Sequence, residues 1–177
     1  MRILSLVFVL LVLAAVSVAQ TYTPRKGETA LKIEIEGRGN VFIRLHTDEA
    51  PKTTARIVQL VKQGFYDGQR FHRVERTPKP YLVQVGDPNS KKGNLDGEGG
   101  SGRKVAYEDS GFKNTQGAVG LAHPVDDRNG GDSQFYMLLS RSSFLDNNYT
   151  VFGRVVAGMD VLEKVQKGDK IVTITVL

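Results

Sequence analysis

The chain has 177 residues, a formal charge of +5 and no cysteine. That length is enough for one domain to bury a core without covalent staples. The missing cysteine excludes disulfides, thiolate nucleophiles and cysteine zinc sites, and a basic balance without long Lys/Arg blocks bears on solubility before nucleic-acid binding.

The chain opens with Arg2 and an almost wholly apolar run over 3–16, closed by the small residues Ser17, Val18 and Ala19. This pattern reads as an export signal over 1–19, cleaved after Ala19. The run is short for a membrane anchor and no basic cluster follows it. The expected destination is the periplasm or the exterior, with no membrane attachment after cleavage. Residues 20–30 are polar and form a flexible lead-in to a single domain over 31–177.

Leu31, Ile33 and Ile35 alternate with charged residues, as do Val41, Ile43 and Leu45 with their neighbours, so 31–46 reads as a β-hairpin turning at 37–40. At 50–65 the period changes. Thr47 or Asp48 is placed to cap, Pro51 suits a first helical turn, and Ala55, Ile57, Val58, Leu60 and Val61 make one apolar face before Gly64. Strand-like runs follow at 70–75, 81–86, 117–122, 134–140, 151–156 and 170–176, with a short helix over 159–166. Residues 86–104 are glycine-rich and read as a long surface loop with no structure of its own. About eight short strands and two helices without βαβ alternation predict an antiparallel barrel or sandwich, with helices covering its ends.

The chemistry-bearing residues are few. Arg73 sits on a strand, and strand arginines are mostly solvated. Gln84 and Gln134 lie on other strand-like segments in apolar company, where a glutamine needs hydrogen-bond partners, and a guanidinium supplies five fixed donors. The three together would hold Arg73 over a pocket walled by Tyr81, Leu82, Phe135, Tyr136, Phe144 and Leu145. His46, His72 and His123 are scattered without a ligand spacing, so no metal is expected. Asp126, Asp127, Asn129 and Asp132 lack the spacing of a calcium loop and read as a solvated loop.

The segments FYDGQRFHRV, QVGDP, GAVGLAH, DSQFYM and FLDNNYTVFGRVVAGMDVLEKV resemble those of cyclophilins, the cyclosporin-binding peptidyl-prolyl isomerases, in their compact bacterial form. The resemblance runs in order from about Leu31 to Leu177. It implies a mainly β fold, a closed eight-stranded antiparallel barrel capped by two α-helices. It implies a catalytic arginine at Arg73 and substrate contacts at Tyr81, Leu82, Gln84, Ala122, His123, Gln134, Tyr136, Phe144, Leu145 and Tyr149, with no metal and no cofactor. The function so implied is a monomeric isomerase that rotates X–Pro bonds in exported polypeptides.

The alternative is a catalytically weak module of the same fold that binds proline-containing segments as chaperone or scaffold. A nucleic-acid barrel fits the charge but lacks an interleaved aromatic and basic stripe. Two stretches, 74–80 and 123–131, are longer than the family pattern and could reshape the groove. Phe144 stands where many cyclophilins carry tryptophan, which predicts weak cyclosporin binding. Tyr81 and Tyr136 put hydroxyls on a wall that is otherwise phenylalanine, which predicts a slightly more polar pocket.

Overall fold

The computed structural model describes residues 20–177; the expected export signal lies outside the described residues. Strands β1 (Ala30–Ile35) and β2 (Gly39–Leu45) form the hairpin, with Leu31 opposite Ile43 and Ile33 opposite Val41. The alternating apolar residues of both strands are buried, because a period of two sends every second side chain to one face.

Helix α1 (Pro51–Lys62) packs Ile57, Leu60 and Val61 onto the sheet and stops at Gly64, whose φ of 65° suits a residue without Cβ. Its cap differs from the expectation. Ala50 occupies the N-cap, and neither Thr47 nor Asp48 caps it. Instead the carboxylate of Glu108, from a distant loop, accepts from Lys52 N at 2.9 Å, Thr53 N at 2.8 Å and Thr53 Oγ1 at 2.7 Å. A carboxylate at this end also meets the favourable pole of the helix dipole.

The remaining strands are β3 (Arg73–Glu75), β4 (Leu82–Val85), β5 (Ala118–Leu121), β6 (Phe135–Leu138), β7 (Val151–Ala157) and β8 (Ile171–Val176). All pair antiparallel in one eight-stranded sheet of order β3-β4-β6-β5-β7-β2-β1-β8. The sheet curls into an open half-barrel rather than the closed barrel expected. β3 has only three residues and starts too late to pair with β8. The chain just before it meets residues 168–171 through a single isolated bridge, Arg70 to Lys170, and a few backbone bonds such as Phe71 N to Asp169 O at 2.9 Å.

A second helix, α2 (Met159–Leu162), is shorter than the predicted 159–166. A further difference concerns a loop. The glycine-rich stretch after Gly86 is built: Pro88–Lys92 is a 3-10 turn capped by the buried Asp87, whose Oδ1 accepts from Asn89 N at 2.8 Å and Oδ2 from Gly97 N at 3.1 Å. Gly86 itself has a φ of 115°, and a Cβ there would collide with the backbone of Ser133 and Gln134. No described helix is long and apolar enough to cross a membrane.

The sheet is apolar on both faces where β4, β5 and β6 meet. The main core lies inside, and a smaller cluster of Leu82, Ala118, Tyr136, Leu138, Leu145 and Val151 lies outside. That outer cluster positions the site described next.

Removing the distant cap tests the fold directly. Glu108→Ala should lower stability in a denaturant titration by about 1–2 kcal/mol, the usual worth of a helix cap, while Asp48→Ala should leave it within about 0.5 kcal/mol.

Candidate active site

Cross-strand register places the candidate residues in one row. Arg73 lies opposite Gln84, Gln84 opposite Tyr136, and Tyr136 opposite Gly120. All four sit on the outer face. The next row out carries Glu75 opposite Leu82, and Leu82 opposite Leu138. Gln134 belongs to the same face, two residues before Tyr136.

A directed chain of hydrogen bonds runs along this face. Arg73 Nη1 donates to Gln84 Oε1 at 3.5 Å, and Gln84 Nε2 donates to Gln134 Oε1 at 2.9 Å. Gln134 Nε2 then donates to the carbonyls of Gly97 and Gly99 at 2.6 and 2.7 Å. Gln134 therefore acts on Arg73 through Gln84, not directly. The carbonyl anchors of Gly97 and Gly99, and the second holder of Arg73, were not expected from the sequence. That holder is Glu75, whose Oε1 accepts from Arg73 Nε at 3.1 Å. Its position two residues on, on the same strand face, was the available signal. Arg73 stays half exposed and its Cζ lies 6.0 Å from the centroid of the Tyr81 ring.

Beside the arginine is an apolar hollow. Leu82, Tyr136 and Leu145 form its buried floor, with Tyr81, Ala122 and Tyr149 packed around it. Phe144, 69% exposed, stands at its rim with its ring centroid 5.4 Å from that of Tyr81. Tyr149 packs edge-on to Tyr136 at 5.8 Å and is stacked by His123 at 4.2 Å. His123 Nε2 is 3.0 Å from the carbonyl of Asn148, so its ring braces Tyr149. The structure thus brings together every predicted contact residue. Phe135 is the exception among the expected wall residues: it points the other way, into the main core, edge-on to Tyr66 and Phe152.

The Tyr136 hydroxyl does not make the hollow more polar. It is buried and donates to Asn114 Oδ1 at 2.7 Å, and burial pushes its ionisation far up. Asn114 in turn donates through its N–H to Asp146 Oδ1 at 2.7 Å, and Arg141 Nη2 donates to Asp146 Oδ2 at 2.9 Å. Burial raises the Asp146 pKa, but these donors outweigh it and hold the carboxyl below its ordinary range. A Cβ at Gly120 would collide with the phenolic end of Tyr136, so glycine there is what lets the tyrosine lie across the sheet.

A groove of about 690 Å³ adjoins the hollow, lined by Gln84, Gly97, Gly99, Ala122, His123 and Gln134 among others. The lengthened stretch around 123–131 forms part of its far wall, with Asp127 paired to Lys104 at 2.7 Å. Among the described residues no cluster of three or more His, Asp or Glu could hold a metal ion. His72 is buried beneath Gly97, and neither ring nitrogen has a hydrogen-bond partner among the described residues. Burial holds its pKa below the ordinary 6.5. Asp87 opposes this, as does the nearby Gln134 amide, which falls short of hydrogen-bond geometry.

The chain is similar to known proteins over most of its described length. The family described as "Cyclophilin type peptidyl-prolyl cis-trans isomerase/CLD" matches residues 30–175. A "Probable peptidyl-prolyl cis-trans isomerase" of Brucella suis is 36% identical over 172 residues, covering 92% of this chain and 83% of the relative. "Peptidyl-prolyl cis-trans isomerase-like 1" of Gibberella zeae is 37% identical over 131 residues, covering 71% and 75%. In fold, the chain is similar to a cyclophilin-type isomerase of Cryptosporidium parvum, with a TM-score of 0.73 at 23% identity over 85% of this chain and 98% of that one.

The state of His72 gives a pH dependence. Its folded pKa lies below the unfolded 6.5, so the unfolded chain binds more protons once pH falls under that value. The contribution of neutral His72 is present above pH ~6.5 and is lost as pH falls toward the folded pKa. An NMR titration should give His72 a midpoint below 6.5, with the thermal midpoint falling over the same range. A midpoint at or above 6.5 contradicts the assignment.

Proposed function

Since the chain belongs to the cyclophilin-type peptidyl-prolyl cis-trans isomerase family, we propose that Arg73 carries the isomerisation and that the hollow beside it holds the prolyl ring. Rotation about an X–Pro bond breaks its partial double bond, against a barrier of about 18–20 kcal/mol for an amide. No covalent step is needed. As the amide twists, the proline nitrogen becomes pyramidal and gains a lone pair that accepts a hydrogen bond.

The observation that carries this reading is the tethering of the Arg73 guanidinium by Glu75 at Nε and Gln84 at Nη1, beside an apolar hollow floored by Leu82, Tyr136 and Leu145. Two of its five N–H bonds are committed, and three remain for a ligand. A donor fixed before the reaction stabilises the twisted amide without reorganising, and it does so more than either planar form. Leu82, Tyr136, Leu145 and Tyr149 grip the ring. His123, whose own backbone N–H and C=O have no partner among the described residues, offers a strand-like contact to the peptide.

The substrates we infer are proline-containing segments of exported polypeptides, met by a monomer outside the cytoplasm after loss of residues 1–19. Nucleic acid and membrane play no part in this reading. Phe144 lacks the indole N–H that tryptophan would offer, which supports weak cyclosporin binding.

Arg73→Ala should reduce kcat/KM on a short X–Pro peptide by about a hundredfold or more, the usual effect of losing a preorganised donor, with unfolding unchanged. Glu75→Gln should give a smaller, roughly tenfold loss carried in kcat. A full rate in Arg73→Ala refutes the mechanism. For export, intact-mass analysis of the protein recovered outside the cytoplasm should show Gln20 at its N-terminus; a retained Met1 overturns the cleavage.

A further inference from the structure

On the same outer face, on the far side of Ala118 and Val151 from the arginine of the isomerase site, Arg44 of β2 lies directly opposite Arg154 of β7, which in turn faces Ala118 of β5. Like charges in directly opposed cross-strand positions repel. One carboxylate, that of Glu28, offsets the pair from the Arg44 side alone. Arg154 Nη1 donates to Thr115 Oγ1 at 3.0 Å, and among the described residues no carboxylate pairs with it. Arg44 Nη1 pairs with Glu28 Oε1 at 3.4 Å, and the other oxygen of that carboxylate accepts from the Tyr22 hydroxyl and the Arg25 N–H, both at 2.8 Å. A third cation, Lys113, donates to the uncharged amide oxygen of Asn147 at 2.9 Å.

These three cations line one cavity of about 250 Å³, with Thr115, His46 and Phe112. His46 and Phe112 stack at 3.9 Å and close one side with a flat aromatic wall. Ala118, Val151 and Gly153 complete the lining with apolar surface. No acidic residue lines it. The cavity is compact, carries three positive charges and presents two guanidinium forks, whose geometry suits the oxygens of a tetrahedral anion. The Thr115 hydroxyl accepts from Arg154, so its own hydrogen is free to donate.

We propose that this cavity is a binding site for a phosphate-type oxyanion, clamped between Arg44 and Arg154 with Lys113 and Thr115 as further donors. The anion removes the repulsion built into the β2–β7 register. Free phosphate and a phosphate ester share this chemistry. An ester would set its organic part against Phe112, which is 42% exposed.

The test uses the intact protein with sodium phosphate and, separately, phenyl phosphate, each against sodium chloride at matched ionic strength. Phosphate should raise the thermal midpoint beyond chloride. Arg154→Gln should raise the midpoint in phosphate-free buffer, because the repulsion is gone, and should weaken phosphate binding at least fivefold by calorimetry. Arg44→Gln should weaken it comparably, and isomerase rates should be unchanged in both variants. If Phe112→Ala weakens phenyl phosphate alone, an ester is the ligand; if phenyl phosphate binds no tighter than phosphate, the free ion is. Equal effects of phosphate and chloride, or equal phosphate affinity in wild type and both arginine variants, would overturn the proposal.

Discussion

The structure depends on strand register. Val74, Val83, Met137 and Val119 face one another across β3, β4, β6 and β5, and all point into the main core. Burying that inner row leaves the residues beside it no choice of face. Arg73, Gln84, Tyr136 and Gly120 form the adjacent row and must point outward. A slip of one residue in any pair would exchange the two sets, putting an arginine and a glutamine in the core and valines in the site. The packing that stabilises the sheet is therefore also what aligns the site, although core and site share no side chain.

Register sets position but not orientation. A half-exposed arginine has several rotatable bonds, and on a bare strand it would sample many directions. Here Glu75 takes Nε and Gln84 takes Nη1, so the plane of the guanidinium is defined by two points. The second of these is itself held, because Gln84 is fixed by Gln134 and Gln134 by two loop carbonyls. The glycine-rich loop thus serves the site from a distance. Its carbonyls are presented because Asp87 gathers the N–H groups of Asn89 and Gly97. A lysine at position 73 would keep the charge and lose the fork that both tethers require.

Much of this was legible in the sequence because it is local. Period-two alternation located the strands, and the polar residues interrupting it, Arg73, Gln84 and Gln134, were the ones the sheet turns outward. The same alternation, applied strictly, separates Phe135 from Gln134 and Tyr136 and assigns it to the core. What the sequence could not show rests on contacts between residues far apart in the chain. Glu108 caps a helix more than fifty positions away, a task for which Thr47 and Asp48 had the better local credentials. Closure of the barrel likewise depends on where β3 starts, and a strand three residues long leaves no local trace of that limit.

Tyr136 shows how a residue's meaning changes with its partners. As a sequence feature it is a polar intrusion on an apolar wall. In the fold its hydroxyl turns away and binds Asn114, which binds Asp146, at the end of the short 3-10 turn Ser143–Leu145. That turn carries Phe144 and Leu145, the rim and part of the floor of the hollow. The chain reverses next at Asn147, whose φ of 64° is tolerated by asparagine better than by most residues. The tyrosine thus ties the sheet side of the hollow to its loop side through the buried Asn114 and the half-buried Asp146. A phenylalanine at the same position would line the hollow equally well but leave Asn114 Oδ1 buried without its donor, at a cost of about 1–3 kcal/mol. The added oxygen acts on the rigidity of the wall, not on its polarity.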